Sequence, residues 1–367
     1  MIIGIDARFV GPQGTGLGKY TEKLIKNLLQ IDPQNQYRIF LRQSNWSYLK
    51  FAKGNVTKIL ADVPWYSLEE QLKMAGIYKS QNLDILHVPH FNVPIFYNLP
   101  FVVTIHDLIH HKFSQESATT KNPLIYKTKR FAYKRIITHA VTKSQKIITP
   151  TNYIKEEILK NFKVDPQKIV VTYEAAEEEY LLAKRSTVNN KRPTLLYVGN
   201  TYPHKNITRL LDAVKILKFK IKNLKLIIVC PRDIFKDRLE KEIAEKDLTQ
   251  IVEILPYQNV KDLISIFAKA RAYVFPSLEE GFGIPGLNAM ASGLPLIASE
   301  IPTLKEVYGD SAVYFDPNNP VDIAQKINKV ITSPKISNEL IKKGNEQVKL
   351  YSWQKMAKET LKIYHSI

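Results

Sequence analysis

Three residue types in this chain stand where they could act on a ligand. Glu280 is expected at the end of a strand and is followed by Gly281-Phe-Gly-Ile-Pro285, a spacing in which two glycines let backbone come close and the proline suits a helix's first turn. Free N–H groups and the helix dipole then favour an anion at Phe282, Gly283 and Ile284. The glycines alone fit a tight strand-to-helix turn with no ligand equally well. Lys205 lies in a second such loop, Tyr197-Val-Gly-Asn-Thr-Tyr-Pro-His-Lys-Asn-Ile207, just before a helix. An ammonium just ahead of a helix N-terminus could hold an anion there. His106 follows an apolar strand in Thr104-Ile-His-Asp-Leu-Ile109, at the end of a sheet where α/β proteins take ligands. His87, His90, His110 and His111 show no metal-ligand spacing, and the chain contains no Asp-x-Asp.

These loops require a scaffold, and the rest of the sequence supplies its pattern. Short β-rich runs alternate with amphipathic stretches along the 367 residues, predicting α/β architecture with parallel sheets. Strands are expected near 2–5, 37–41, 85–88, 101–106, 146–149 and 169–172, then near 194–198, 224–229, 252–255, 272–275, 295–298 and 312–315. Each half opens with a strand, a loop and a helix. Leu17, Tyr20, Leu24, Leu28 and Ile31 share one helical face, as do Ile207, Leu210, Leu211, Val214 and Leu217. Polar residues at 183–193 predict a linker between a domain at 1–182 and another at 194–350. Ser352 is an N-cap candidate for a last helix over 351–367.

The long stretch Pro276 to Gly293 resembles the signature of glycosyltransferase family 4, which reads Glu-Gly-Phe-Gly, an apolar residue, Pro, two variable residues and Glu-Ala-Met-Ala-Ser-Gly. The resemblance runs from Gly4-Ile-Asp-Ala-Arg8 to the closing helix. It implies a GT-B fold: two Rossmann-like domains facing across a cleft, with the last helix returning to the N-terminal, acceptor-binding domain. It also implies transfer of a hexose from a nucleotide-sugar with retention of configuration, the departing phosphate helping to deprotonate the acceptor. On this resemblance Glu280 lies near the donor sugar, Lys205 contacts the diphosphate, and His106 faces sugar and acceptor. Asn200 and His204 fall where many members carry an Arg. Gly16 and Gly18, in Gly14-Thr-Gly-Leu-Gly-Lys-Tyr20, match a glycine loop over the donor phosphates.

One position departs from the pattern. Asn288 stands where the family has the Glu that holds the ribose hydroxyls. An amide can hydrogen-bond a hydroxyl but lacks the charge that strengthens a carboxylate acceptor. Two readings follow: a working transferase with altered donor recognition, or a nucleotide-sugar-binding relative without turnover. A nicotinamide-dependent oxidoreductase would also have two such domains, but the dinucleotide fingerprint is missing.

Similarity to mannosyltransferase-type members makes GDP-mannose the expected donor, and the expected acceptor is a glycan or lipid-linked glycan. No cofactor and no divalent metal are expected. The formal charge is +18, and nine basic residues with no acidic one lie between Glu116 and Glu156. Segment 121–155 therefore suits peripheral contact with an anionic membrane. Nucleic acid is not an expected partner, because no recognised nucleic-acid module is present. With one cysteine, Cys230, no disulfide framework is possible. No leader or spanning run is recognised, so the expected compartment is the cytoplasm, on the inner membrane face.

Overall fold

The computed structural model describes residues 1–11, 15–51, 54–112, 123–183, 193–231 and 234–367. Gly14, Lys121 and the polar stretch 184–192 lie outside the described residues.

The chain forms two compact units, Met1–Glu174 with Ser352–Ile367, and Ala175–Tyr351. The first contains β1 (Ile2–Asp6), β2 (Gln36–Leu41), β3 (Val56–Leu60), β4 (Ile85–Val88), β5 (Phe101–Thr104), β6 (Lys146–Thr149) and β7 (Ile169–Val171). They form one sheet in the order β3-β2-β1-β4-β5-β6-β7, every pair parallel. The second contains β8 (Thr194–Val198), β9 (Lys225–Val229), β10 (Val252–Leu255), β11 (Ala272–Phe275), β12 (Leu296–Ser299) and β13 (Ala312–Phe315), in the parallel order β10-β9-β8-β11-β12-β13. Both sheets are doubly wound, and each reverses direction once: at β1/β4 in the first and at β8/β11 in the second. Loops leaving the carboxyl ends of those strand pairs border the crevice where such sheets bind ligands.

Covered parallel strands must be apolar on both faces, and β4, β5, β11 and β12 are buried along their whole length. The edge strand β3, absent from the expected set, has no fully buried position and carries Lys58, so it lacks that apolar signal. The helix Thr15–Ile31 buries Tyr20, Leu24 and Leu28, and the helix Trp353–His365 packs on it within the same unit. Ser352 caps this last helix by accepting from the Lys355 N–H.

The boundary between units falls after Glu174, eight residues ahead of the expected 182. Tyr180 is the reason: it is buried edge-on to Phe267, 5.2 Å between centroids, and draws the short helix Glu178–Leu182 into the second unit.

Candidate functional site

In the second unit the loops after β8 and β11 leave the sheet side by side at its reversal point. The first begins at Gly199 (φ 155°), where a Cβ would lie 2.9 Å from the Tyr197 hydroxyl. It ends at Asn206, which is buried and left-handed (φ 60°, ψ 32°) and opens the helix Ile207–Leu217. The Asn206 amide donates to the carbonyls of Pro276 (2.9 Å) and Pro317 (2.7 Å), and the Leu278 N–H donates to the His204 carbonyl at 2.8 Å. The bonds to Pro276 and from Leu278 lock the two loops together, and the bond to Pro317 ties the first of them to the segment after β13.

That lock sets the central contact of the site. Lys205 Nζ donates to Glu280 Oε1 at 2.6 Å, with the two side chains 15% and 11% exposed. Glu280 is also fixed through its backbone, whose carbonyl accepts from Thr303 Oγ1 at 2.8 Å. An ammonium has three donors, so Lys205 can keep Glu280 and still offer N–H groups to a phosphate.

Three residues on, Gly283 (φ 109°) starts the helix Ile284–Ala291. Glycine is required here, because the Tyr308 hydroxyl occupies the space a Cβ at either 283 or 286 would need. The same hydroxyl donates to the Gly283 carbonyl at 2.5 Å, and burial pushes its pKa well above the ordinary phenol value. Pro285 in the first turn has no N–H to leave unsatisfied. The positive end of this helix thus lies just past the Lys205–Glu280 pair in sequence.

Asn288, one turn further, is 5% exposed and bonded twice to one residue. Its Oδ1 accepts from the Glu177 N–H (2.9 Å), and its Nδ2 donates to Glu177 Oε1 (3.2 Å). Of the acidic run 177–179, Glu178 and Glu179 are exposed, whereas Glu177 is half-buried against the motif helix. Asn200 lies in the loop after β8, its carbonyl accepting from the Tyr197 hydroxyl at 2.6 Å. The ring of Phe282 is buried edge-on to Tyr351, leaving its backbone to any ligand role.

The first unit holds the other expected residues. His106 lies two residues past the end of β5 rather than within it. Its Nδ1 meets Glu174 Oε1 at 3.0 Å and its Nε2 meets the Pro89 carbonyl at 3.2 Å, with Tyr20 edge-on at 4.6 Å. Glu174, which nothing in the sequence singles out, therefore orients the motif histidine. His87 in β4 is neutral: burial, with the nearby His106, lowers its pKa to about 3. It bonds Thr104 Oγ1 (2.8 Å) and the Tyr364 hydroxyl of the last helix (2.5 Å). Gly16 and Gly18 differ. A Cβ at Gly18 would run into the Phe9 carbonyl, while nothing lies within 4 Å of one at Gly16.

Comparison with known proteins decides the family. The pattern of "Glycosyl transferases group 1" matches residues 181–347, and that of "Glycosyltransferase Family 4" matches 31–179. The chain belongs to glycosyltransferase family 4. This transferase is 26% identical to the O-antigen chain mannosyltransferase RfbU of Salmonella typhimurium, over 97% of each chain. It is also 26% identical to the O-antigen chain mannosyltransferase B of Escherichia coli, over 95% of this chain and 96% of that one. Its fold is that of the GT-B glycosyltransferases. Sucrose-phosphate synthase of Thermosynechococcus elongatus superposes with a TM-score of 0.79 at 19% identity, over 100% and 98% of the two chains. WaaG, a glycosyltransferase involved in lipopolysaccharide biosynthesis, does so at 0.75 and 13%, over 99% of each. Among the described residues of the transferase no helix is long and apolar enough to cross a membrane.

Proposed function

We propose that this transferase moves a hexose, mannose from GDP-mannose in the first instance, onto a glycan or lipid-linked glycan with retention of configuration and without a divalent metal. The observation that carries the proposal is the Lys205–Glu280 pair at the β8/β11 reversal point, followed by the helix start at Gly283. The bond from the anomeric carbon to the phosphate oxygen breaks, and its electron pair goes to the diphosphate. Lys205 and the helix N-terminus hold that charge, as an ion would where an Asp-x-Asp is present. The acceptor oxygen bonds the anomeric carbon from the same face and gives its proton to the departing phosphate. Glu280 positions the sugar, and His106, set by Glu174, serves the sugar and acceptor side.

The names of the relatives support mannose and a surface polysaccharide, since both are O-antigen chain mannosyltransferases. A transferase of the same fold, Anabaena HepE, has been crystallised with UDP and glucose. The binding-only reading rested on the missing carboxylate at 288; Glu177 puts one within 3.2 Å of that amide, which favours turnover. The helix Pro123–Lys143 exposes Lys129, Arg130, Lys134 and Arg135 around Phe131, itself 62% exposed, and this face suits an anionic bilayer holding the acceptor.

A thermal-shift panel of GDP, UDP, ADP, dTDP and NAD, with the matching sugar nucleotides, tests the donor. A ligand at ~100 times its dissociation constant adds about 2.7 kcal/mol. The expected result is stabilisation by GDP and GDP-mannose that Lys205→Ala abolishes. Stabilisation by NAD alone, or by none of the panel, overturns the proposal.

A further inference from the structure

The first unit's sheet has its own reversal point, between β1 and β4, and aromatic rings from the loops after β1, β4 and the edge strand β3 pack against one another beside it. Phe9 follows β1, Trp65 and Tyr66 follow β3, and His90 and Phe91 follow β4. Phe9 stacks on Trp65 with centroids 4.7 Å apart, and the Arg42 guanidinium lies 5.3 Å from the Trp65 ring. Tyr66 stands against this support, edge-on to Phe9 (6.2 Å) and to His90 (5.5 Å). Its hydroxyl meets His90 Nε2 at 3.1 Å, and yet the residue is 57% exposed.

The backbone of Tyr66 is left-handed, φ 57°, a conformation costly for an aromatic residue and kept only where surrounding contacts impose it. A buried ion network imposes it. Glu70 Oε2 accepts from the Tyr66 N–H at 2.8 Å and from the Asn92 amide. Glu70 Oε1 accepts from Arg8 Nη2 at 2.6 Å, and Arg8 also pairs with Asp6 at 2.7 Å and donates to the Val63 carbonyl at 3.1 Å. Arg8, Asp6 and Glu70 are all buried. Such networks add little net stability, but they fix loops relative to one another. Here the loops fixed are 63–66 and 89–92, and the result is an exposed tyrosine ring held in one orientation. The loop after β4 is tied to His106 as well, through the Pro89 carbonyl one residue before His90.

A flat ring with a hydroxyl tip and an imidazole beside it matches a pyranose, whose C–H face stacks on the ring while its hydroxyls hydrogen-bond the polar atoms. Phosphate is disfavoured, because Glu70, which accepts from the Tyr66 N–H, shares one guanidinium with a second carboxylate, Asp6. We propose that Tyr66, with His90, forms a platform for a neutral hexose of the acceptor glycan. The word acceptor rests on the transferase reading above; the sugar site itself does not.

Saturation-transfer NMR with methyl α-mannoside, methyl α-glucoside, N-acetylglucosamine and α-linked mannobiose tests the proposal on the native chain and on Tyr66→Gly. Glycine accepts a φ of 57°, which offsets part of the loss of the ring's contacts, and the Tm rise with nucleotide shows that the variant is folded when its sugar binding is read. Expected are sugar binding by the native chain, a loss of tenfold or more in Tyr66→Gly, and an unchanged Tm rise with nucleotide. Equal sugar binding by both proteins, no binding of any sugar in the panel, or displacement of sugar from the native chain by nucleotide alone would each overturn it. If sugar binding depends on Tyr66 while no nucleotide stabilises the chain, the platform stands and the transferase reading falls.

Discussion

The side-chain amide of Asn288 is bonded at both ends to Glu177, accepting its N–H at 2.9 Å and donating to its carboxylate at 3.2 Å. The carboxylate expected on the motif helix is thus present on the neighbouring segment, with the amide holding it in place. Placing Glu at 288 by itself would set two carboxylates against each other in a half-buried setting, which is unfavourable.

A swap therefore behaves differently from either single change. Glu177→Gln is expected to weaken binding of the ribonucleotide about tenfold or more, the worth of a hydrogen bond to a charged acceptor. It should have far less effect on the 2′-deoxynucleotide. Asn288→Glu alone lowers Tm, and the double variant recovers both Tm and the preference for ribose. Calorimetric titration of GDP and 2′-deoxy-GDP reads the cycle; equal losses for the two nucleotides in Glu177→Gln would leave Glu177 a purely structural residue.

What the sequence made legible is what local pattern encodes. Lys205, Glu280 and Gly283 lie in loops flanked by strong strand and helix signals, and the structure puts each at a reversal point of a parallel sheet. Glu177, Glu174 and Tyr66 were not legible, because what they do depends on partners far along the chain. Asn288 is 111 residues from Glu177, and His106 is 68 from Glu174. The position of Tyr66 follows from a buried Arg8 that comes 58 residues earlier in the chain and that composition alone would place on the surface. The unit boundary was misplaced for a similar reason: Tyr180 buries itself against Phe267, and an exposed-looking acidic run hides that contact.

Removing the ammonium of Lys205 has two separable effects. Lys205→Ala leaves Glu280, 8% exposed, without its cation, and stability should fall by about 1–3 kcal/mol. Turnover should fall about 10²–10³-fold, the usual scale for losing one group that stabilises developing charge. Lys205→Ala with Glu280→Gln should recover most of the stability and none of the turnover. If the double variant regained activity, Lys205 would be serving Glu280 rather than the leaving group.

The two glycines of the first helix, alike in the motif, should respond in opposite ways. Gly16 is exposed with open space around it, so Gly16→Ala is expected to stabilise the helix by about 0.5–1 kcal/mol. Gly18→Ala drives a Cβ into the Phe9 carbonyl and should cost about 1–3 kcal/mol while disturbing the ring that supports Tyr66. Urea unfolding gives both signs. A Gly16→Ala variant that is stable but inactive would mean that the open space at Gly16 is there for the donor.

Acid should loosen the first unit through His87. Its pKa is about 3 in the fold against an ordinary 6.5, so below pH 6.5 the unfolded chain takes up a proton that the folded chain refuses. The stabilisation is complete above pH 6.5 and is lost as pH falls from there toward 3, by at most about 1.4 kcal/mol per pH unit from this one group. Burial shifts His111 and His139 in the same direction, so the comparison must be with His87→Gln rather than with a calculated curve. Denaturant unfolding at pH 7.5, 6 and 5 should show the native chain losing stability faster than the variant by about one proton's worth. Because His87 bonds the Tyr364 hydroxyl, amide exchange in the last helix should rise with the same pH dependence. Parallel slopes for the two proteins would mean that His87 either stays protonated in the fold or is already neutral in the unfolded chain.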